Sequence, residues 1–167
     1  GSEVSSTCSS INVDLLHSLG AKKVINYESE VFQNTLEGYD VAYDLLGDSV
    51  LDDSIDACCK ILKNNSSSHY ITLTHPLMNT LDDKGLLLGA PHAFFLRQKV
   101  KSAYKPINVH WSIYRPSLSG LKELTHLAEK EIIKPTIDSI YSLSDISEAH
   151  KKVGTGHGSG KVVINNI

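Results

Sequence analysis

Short runs of strand-forming residues alternate with amphipathic stretches along almost the whole chain, and this alternation narrows the folds open to it. The runs predict strands over 3–8, 24–25, 40–46, 69–74, 107–114, 137–141 and 161–164. The stretches predict helices over 11–19, 28–36, 50–62, 117–130 and 144–153, whereas 77–106 gives no clear pattern. Strands that alternate with helices are typical of parallel sheets. We therefore expect an α/β fold, in which a mostly parallel sheet carries helices on both faces.

Two local signals define helix ends. Gly20 follows the apolar positions of the first helix and predicts its end, because glycine tolerates the left-handed conformation of a C-cap. Ser144 precedes the last helix and is predicted to be its N-cap.

The composition is that of one folded globular domain. The chain has 167 residues, of which 41% are hydrophobic and 21% are charged, and this excludes a disordered or collagen-like protein. No apolar run approaches the ~18 residues of a membrane helix, and no secretory signal opens the chain. We expect one domain over 3–167, with residues 1–2 left from a cleaved purification tag.

Neither a metal site nor a disulfide framework is predicted. The cysteines are Cys8, Cys58 and Cys59, an odd number with an adjacent pair, and no C-x-x-C or H-x-x-x-H spacing occurs. Free cysteines are typical of a reducing compartment. His75 follows a predicted strand, at the end where α/β sheets bind ligands, and is either a lone catalytic acid or base or a loop histidine without a task.

The chain is acidic overall but contains one basic segment. The net charge is −3, yet no Asp or Glu occurs between Lys84 and Lys122. This basic segment, residues 84–122, carries Lys84, Arg97, Lys99, Lys101, Lys105, Arg115 and Lys122. It could face the phosphates of a cofactor or a nucleic acid, or it could form a solvated surface. Because aromatic residues are sparse there, base stacking is poorly supported and a nucleic-acid partner is not expected.

The glycine-rich run 154–160 differs from a phosphate-binding loop. Such a loop follows a strand and opens a helix, so that the N–H groups of the helix face the phosphates. Here the run follows a predicted helix and precedes a predicted strand. We interpret it as a flexible connection that could line a site.

The end of the first predicted strand bears on cofactor choice. In a dinucleotide fold, an acidic residue at such a strand end holds the ribose 2′-OH of NAD. Here the strand ends in Cys8, Ser9 and Ser10, and the next acidic residue is Asp14, inside the helix. A 2′-phosphate would meet no repulsion there and could accept a hydrogen bond from Ser9, which favours NADP. Alternatively, Ser9 and Ser10 only cap the helix that follows.

Three segments carry motifs of a known family. Residues 19–27 (LGAKKVINY) resemble its LGAdxVIDY segment, and residues 40–47 (DVAYDLLG) resemble its DxxxDxVGG strand. Residues 133–164 resemble its C-terminal pattern, which ends in a GKvVl strand. In this order the motifs resemble the medium-chain dehydrogenase/reductase family, and within it the zinc-free quinone-oxidoreductase branch.

The resemblance implies NADPH-dependent reduction of a quinone or an enone-like carbonyl compound. It also implies a Rossmann-like cofactor domain beside a GroES-like catalytic domain. The GroES-like domain, the first Rossmann strand and the glycine loop have no counterpart in these residues. We therefore expect the C-terminal cofactor-domain part of such an enzyme, with weak or absent NADP binding and no activity by itself. A different class stays open, namely a non-catalytic module that binds a protein or RNA through the basic segment.

Residue by residue, the resemblance implies positions along a bound NADP, with no catalytic or metal-binding residue. Ser9 and Tyr27 correspond to residues near the 2′-phosphate and the adenosine, and Leu46 corresponds to backbone that passes the adenosine half. The other positions, near the nicotinamide half or flanking the cofactor cleft, are Leu73, Thr74, Trp111, Tyr114, Gly160 and Lys161.

The sequence departs from the family pattern in ways that bear on assembly and site. Asn26 replaces an aspartate, Asp48 a glycine and Ser159 an arginine. Without its first strand, the sheet would have two exposed edges, which favours self-association. We expect residues 4–8 to pair with 40–46, to pair with a strand of another copy, or to be disordered. The resemblance also implies a mitochondrial location, with a cytoplasmic one as the alternative.

Overall fold

The computed structural model describes residues 1–46, 53–74, 76–156 and 158–165. The chain divides into two compact units, Gly1–Glu28 with Arg115–Ile167 (unit 1) and Ser29–Tyr114 (unit 2). The described strands form three sheets, and every strand pair in them is parallel. Because helices alternate with these strands, the predicted α/β class is confirmed.

Most predicted elements are present, with ends that differ by a few residues. In chain order the strands and helices are β1 (Ser5–Cys8), α1 (Val13–Ser18), β2 (Lys23–Asn26), β3 (Val41–Asp44), α2 (Ser54–Ile61), β4 (His69–Thr72), α3 (Leu77–Ala103), β5 (Asn108–Trp111), α4 (Leu118–Glu129), β6 (Ile137–Ser142), α5 (Ile146–Gly154) and β7 (Lys161–Asn165).

Unit 1 contains two pairs of parallel strands, β1 with β2 and β6 with β7. Gly20 ends α1 as predicted: its φ is 94°, and its N–H donates to the carbonyl of His17 at 3.0 Å. After this turn the N–H of Lys22 donates to the carbonyl of Val4 at 2.8 Å, which starts the pairing of β2 with β1. The pairing of 4–8 with 40–46 is not among the strand pairs of the described residues.

The predicted N-cap of the last helix is wrong. A 3-10 turn over Leu143–Asp145 precedes α5, so that Asp145, not Ser144, occupies the N-cap position. The Ser142 hydroxyl lies 2.6 Å from the Ser144 hydroxyl and donates to the Asp145 carboxylate at 2.6 Å. The serine and aspartate side chains therefore bond to one another, and Ser144 is not available to the first turn of α5.

The sheet of unit 2 has the strand order β3-β4-β5. One hydrophobic cluster of buried side chains holds it together, with residues of α2 and α3 packed around that cluster. The Tyr104 hydroxyl, just after α3, donates to Asp56 in α2 and ties the two helices together. The buried members of the cluster are Ala42, Leu62, Tyr70, Ile107 and Val109.

Two segments differ from the sequence expectation. The helix predicted over 28–36 is wrong: only a 3-10 turn over Phe32–Asn34 forms there, and Val31 is 51% exposed, so the segment has no continuous apolar face to bury. The segment that gave no clear pattern contains α3, which is interrupted at Gly85 by a non-helical φ of 69°. That break explains why no single helical period runs through the segment.

Candidate functional site

Three parallel strands end together at one edge of the unit 2 sheet. The register places Asp44, Thr72 and Trp111 level with one another at the ends of β3, β4 and β5. Ligands of open α/β sheets bind at this carboxyl edge. The edge brings together four of the predicted cofactor residues, which are Leu46, Leu73, Thr74 and Trp111.

The buried carboxylate of Asp44 holds this edge in place through hydrogen bonds. It accepts hydrogen bonds from the Ser54 hydroxyl and the Tyr70 hydroxyl, both at 2.7 Å. It also accepts from the N–H of Leu46 at 3.1 Å, which fixes the backbone where β3 ends. Burial and the bond to Asp44 raise the pKa of Tyr70, so this phenol stays protonated near neutral pH.

The turn after β4 is held by threonine side chains. The Thr72 hydroxyl donates to the carbonyl of Thr74 at 2.8 Å and accepts from the N–H of Thr74 at 3.1 Å. The N–H of Leu73 donates to the carbonyl of Asp44 at 3.1 Å, which extends the pairing of β4 with β3 beyond the regular strands. The turn therefore presents Leu73, which is 56% exposed, in a defined backbone position.

The structure does not place Tyr114 or His75 within this group. Tyr114 lies beyond the end of β5 and is 86% exposed, and none of the described contacts ties its side chain to the edge. His75 lies outside the described residues, as do Asp48 and His157.

At the end of β1 and β2, unit 1 brings Ser9 and Tyr27 side by side. The N–H of Tyr27 donates to the carbonyl of Cys8 at 3.1 Å, one residue beyond the paired Cys8 and Asn26. Ser9 is the N-cap residue of the 3-10 turn, yet its side chain makes no capping hydrogen bond. Its hydroxyl instead accepts a long hydrogen bond of 3.5 Å from the Asn12 amide. A capping role therefore does not account for the Ser9 side chain.

A carboxylate that sequence reasoning missed lies at the same place. Glu28 accepts a hydrogen bond from the N–H of Ser10 at 3.0 Å, while its own N–H donates to the Asn26 side chain at 3.0 Å. The pKa of the Cys8 thiol is raised, chiefly by burial and further by the charge of Glu28. The tip of β1 is not free of negative charge, because Glu28, two residues beyond β2, places its carboxylate there.

Gly160 and Lys161 lie at the amino end of β7. The N–H of Lys161 donates to the carbonyl of Thr136 at 2.8 Å, which draws the two backbones together just before β6 and β7 pair. A Cβ atom at position 160 would lie 2.4 Å from the carbonyl oxygen of Thr136. This close backbone approach explains the glycine by packing alone.

Replacing Gly160 with alanine should therefore destabilise unit 1. The new methyl group must displace a hydrogen-bonded backbone, and overpacking of this kind costs about 1–3 kcal/mol. Chemical denaturation measures the loss. Gly154 is the matched control, because a Cβ there would meet nothing within 4 Å. Equal stability of the Gly160→Ala and Gly154→Ala variants would contradict the packing explanation.

The loop before β7 is fastened by Asp138. Its carboxylate accepts a hydrogen bond from the N–H of Ser159 at 2.8 Å and lies 3.4 Å from the Lys152 ammonium. The Ser159 hydrogen bond is the main reason why the pKa of Asp138 is lowered. The glycine-rich run is thus tied to β6 at one point, which refines its interpretation as a flexible connection.

This lowered pKa predicts a pH dependence of stability. The ionised Asp138 stabilises the fold fully above the ordinary carboxyl pKa, and this contribution is lost as the pH falls through the lowered value in the folded state. Thermal unfolding of the wild type and Asp138→Asn at several pH values should show a gap at neutral pH that closes in acid. A gap that is constant with pH would refute the role of the Asp138 charge.

Burial also governs the two cysteines of α2. Burial raises the pKa of Cys58 to about 12 and that of Cys59 to about 11, so both remain thiols at neutral pH and neither is an activated nucleophile. Within the described ranges, no group of three or more His, Cys, Asp and Glu could hold a metal ion.

None of the helices in the described part of the chain is both long and apolar enough to cross a membrane.

Comparisons with known proteins agree with this architecture. Residues 19–164 match the family model of the zinc-binding dehydrogenases. The mitochondrial NAD(P)H oxidoreductase RTN4IP1 of Danio rerio is 28% identical over 166 residues, which cover 98% of this chain and 43% of that protein. The Drosophila melanogaster protein of the same name is 30% identical over 166 residues, which cover 97% of this chain and 39% of that protein. The chain thus spans about two fifths of the length of these relatives.

A solved structure supports the fold assignment. The quinone oxidoreductase from Coxiella burnetii matches with a TM-score of 0.71 and 24% identity, over 99% of this chain and 45% of that chain. The sequence motifs also resemble the mitochondrial reticulon-4-interacting oxidoreductase, and the two relatives confirm this resemblance. None of these proteins supports the RNA- or protein-binding alternative. Because the family model matches most of its residues, the chain belongs to the zinc-binding dehydrogenase family.

Proposed function

We propose that the chain is the cofactor-binding part of an NADPH-dependent oxidoreductase that reduces a quinone or an enone-like carbonyl compound. Family membership supports this, as do two relatives named NAD(P)H oxidoreductases. One observation carries the proposal at the level of residues. The Ser9 hydroxyl lies at the tip of β1, where a parallel sheet binds its ligand, and it does not cap the turn that follows.

The tip of β1 would offer the Ser9 hydroxyl and the Tyr27 ring to a phosphorylated adenosine. The bound dinucleotide would supply the hydride, while the protein binds and orients it. The Ser9 hydroxyl can donate to a 2′-phosphate, and the half-exposed ring of Tyr27 offers an aromatic face beside the same group.

The Glu28 carboxylate would weaken the binding of a 2′-phosphate at this tip. A carboxylate bonded to the N–H of Ser10 repels a phosphate and attracts a ribose 2′-OH. We therefore expect NADPH to be preferred over NADH by a smaller margin than Ser9 and Tyr27 alone would give.

The carboxyl edge of unit 2, taken by itself, carries further residues that the family resemblance assigns to the cofactor. Leu46 would meet the adenosine half through its backbone, and Leu73 and Thr74 would meet the nicotinamide half. Trp111 and Tyr114 would lie near the nicotinamide half, and Gly160 and Lys161 would flank the cofactor cleft. Asp44 would position this edge through the backbone of Leu46, without touching the cofactor.

Among the described residues, no group of three or more His, Cys, Asp and Glu could hold zinc. The relatives named mitochondrial support a mitochondrial location. One Rossmann-like cofactor domain over 3–167, with weak or absent binding of the whole dinucleotide and no activity by itself, stays a prediction. Self-association through sheet edges also stays a prediction.

The proposal is tested with adenosine 2′,5′-bisphosphate, which represents the phosphorylated end of NADPH. Ser9→Ala should weaken its binding about tenfold, because a hydrogen bond to a charged group is lost. Nuclear magnetic resonance titration detects the millimolar affinities expected of such a small ligand. Ser18→Ala is the control, since the Ser18 hydroxyl only donates to the carbonyl of Leu15. Absence of saturable binding to the wild type would overturn the proposed function.

A further inference from the structure

A cavity of about 400 Å³ lies in unit 2, where α3 ends and β5 begins. Its polar lining comes from three places in the chain: the loop before β4, the end of α3 with the residues after it, and β5. These polar residues are Ser66, Lys101, Lys105, Asn108 and His110. Since one water molecule occupies roughly 30 Å³ in the liquid, the cavity has room for a ligand larger than a single ion.

The cavity is positively charged and has no carboxylate in its lining. Lys101 and Lys105 line it, and no ion pair among the described residues involves either of them. The sequence explains this, because no Asp or Glu occurs between Lys84 and Lys122. The C-terminal end of α3 offsets part of the charge of Lys101, whereas Lys105 lies beyond the helix.

The pKa of the His110 imidazole reflects the same excess of positive charge. This pKa is lowered, first by burial and then by the nearby His69, Lys101 and Arg97. The His69 and His110 rings are held together by a hydrogen bond of 2.9 Å between their nitrogens. The electrostatic potential at the cavity wall beside His110 is therefore positive.

One wall of the cavity is fixed by hydrogen bonds. The Asn108 amide donates to the carbonyl of Ser66 at 2.6 Å and to that of Ser68 at 3.3 Å. The loop that forms one wall is therefore held against β5.

We propose that this cationic cavity binds a phosphate-type polyanion, of which pyrophosphate is the simplest member. The two lysines contact the phosphate oxygens, and His110 provides a further polar contact. None of the residues that line the cavity is among the predicted cofactor residues, so its existence does not depend on the cofactor assignment.

Calorimetric titration of the 167-residue chain with pyrophosphate tests the proposal. We expect saturable binding of one pyrophosphate, with shifts of the His110 imidazole resonances. Lys101→Gln with Lys105→Gln should weaken binding at least about tenfold, because charge-assisted hydrogen bonds are lost. Lys84→Gln with Lys99→Gln is the matched control, since it removes two exposed lysines from α3 outside the cavity. It should weaken binding less than about twofold.

Two outcomes would overturn the proposal. One is absence of saturable heat with pyrophosphate, and the other is equal weakening by the two pairs of substitutions, which would indicate diffuse surface attraction. If the cavity variant fails to show the wild-type unfolding transition, the single Lys105→Gln variant replaces it, because Lys105 is exposed. Titration with ADP separates the sources: tighter binding than pyrophosphate indicates a nucleotide, and equal or weaker binding indicates free phosphate compounds.

Discussion

Asp44→Ala should lower the free energy of unfolding by about 3–5 kcal/mol, the largest loss we expect from one substitution. The reason is the number of donors that one buried carboxylate serves. The hydroxyls of Ser54 and Tyr70 would both lose their acceptor, and the N–H of Leu46 would lose its bond. Chemical denaturation followed by circular dichroism measures the change.

The control for this prediction is Asp40→Ala, in the same unit. Asp40 forms an exposed ion pair with Lys63 at 2.6 Å, which is worth at most about 1 kcal/mol. Tyr70→Phe should fall between the two, because it removes one donor and leaves the carboxylate in place. An Asp44→Ala variant that is as stable as Asp40→Ala would show that Asp44 does not organise the edge.

Glu28→Gln should raise the affinity for adenosine 2′,5′-bisphosphate about tenfold and leave the affinity for 5′-AMP almost unchanged. The substitution removes a negative charge and keeps an oxygen that can accept the hydrogen bond from Ser10. The effect should diminish at high salt, because the repulsion acts at a partly exposed site.

Glu30→Gln is the matched control, since Glu30 is exposed and lies two residues further along the chain. Equal gains from Glu28→Gln and Glu30→Gln would indicate a general charge effect. No gain from either would mean that the 2′-phosphate does not bind near Glu28. Both results are distinct from a failure of the proposed function, in which the wild type binds neither ligand.

The sequence predicts the architecture because the strand and helix periods are local. β1, β2 and the turn at Gly20 follow from apolar spacing and from one glycine that adopts a positive φ. The helix predicted over 28–36 fails because helix formation needs a buried face, which propensity alone does not reveal. The sequence does not predict α3, because the non-helical backbone at Gly85 interrupts the helical spacing of its apolar residues.

The candidate site is harder to predict, since its decisive contacts join distant residues. The Glu28 carboxylate, after β2, accepts a hydrogen bond from the N–H of Ser10, after β1. The Tyr70 hydroxyl in β4 donates to Asp44 in β3. Spacing in the sequence carries no signal for either contact. Gly160 shows the opposite case, because a glycine in a family motif already has a sufficient explanation in the approach of Thr136.

The central claim is that the tip formed by Ser9 and Tyr27 binds a phosphorylated adenosine. Amide spectra of the ¹⁵N-labelled chain, recorded during titration with adenosine 2′,5′-bisphosphate and separately with 5′-AMP, test it most directly. We predict that the bisphosphate shifts the amides of Ser9, Ser10 and Tyr27, and that 5′-AMP shifts them far less. Shifts centred on the cationic cavity instead, or equal shifts with both ligands, would contradict the claim.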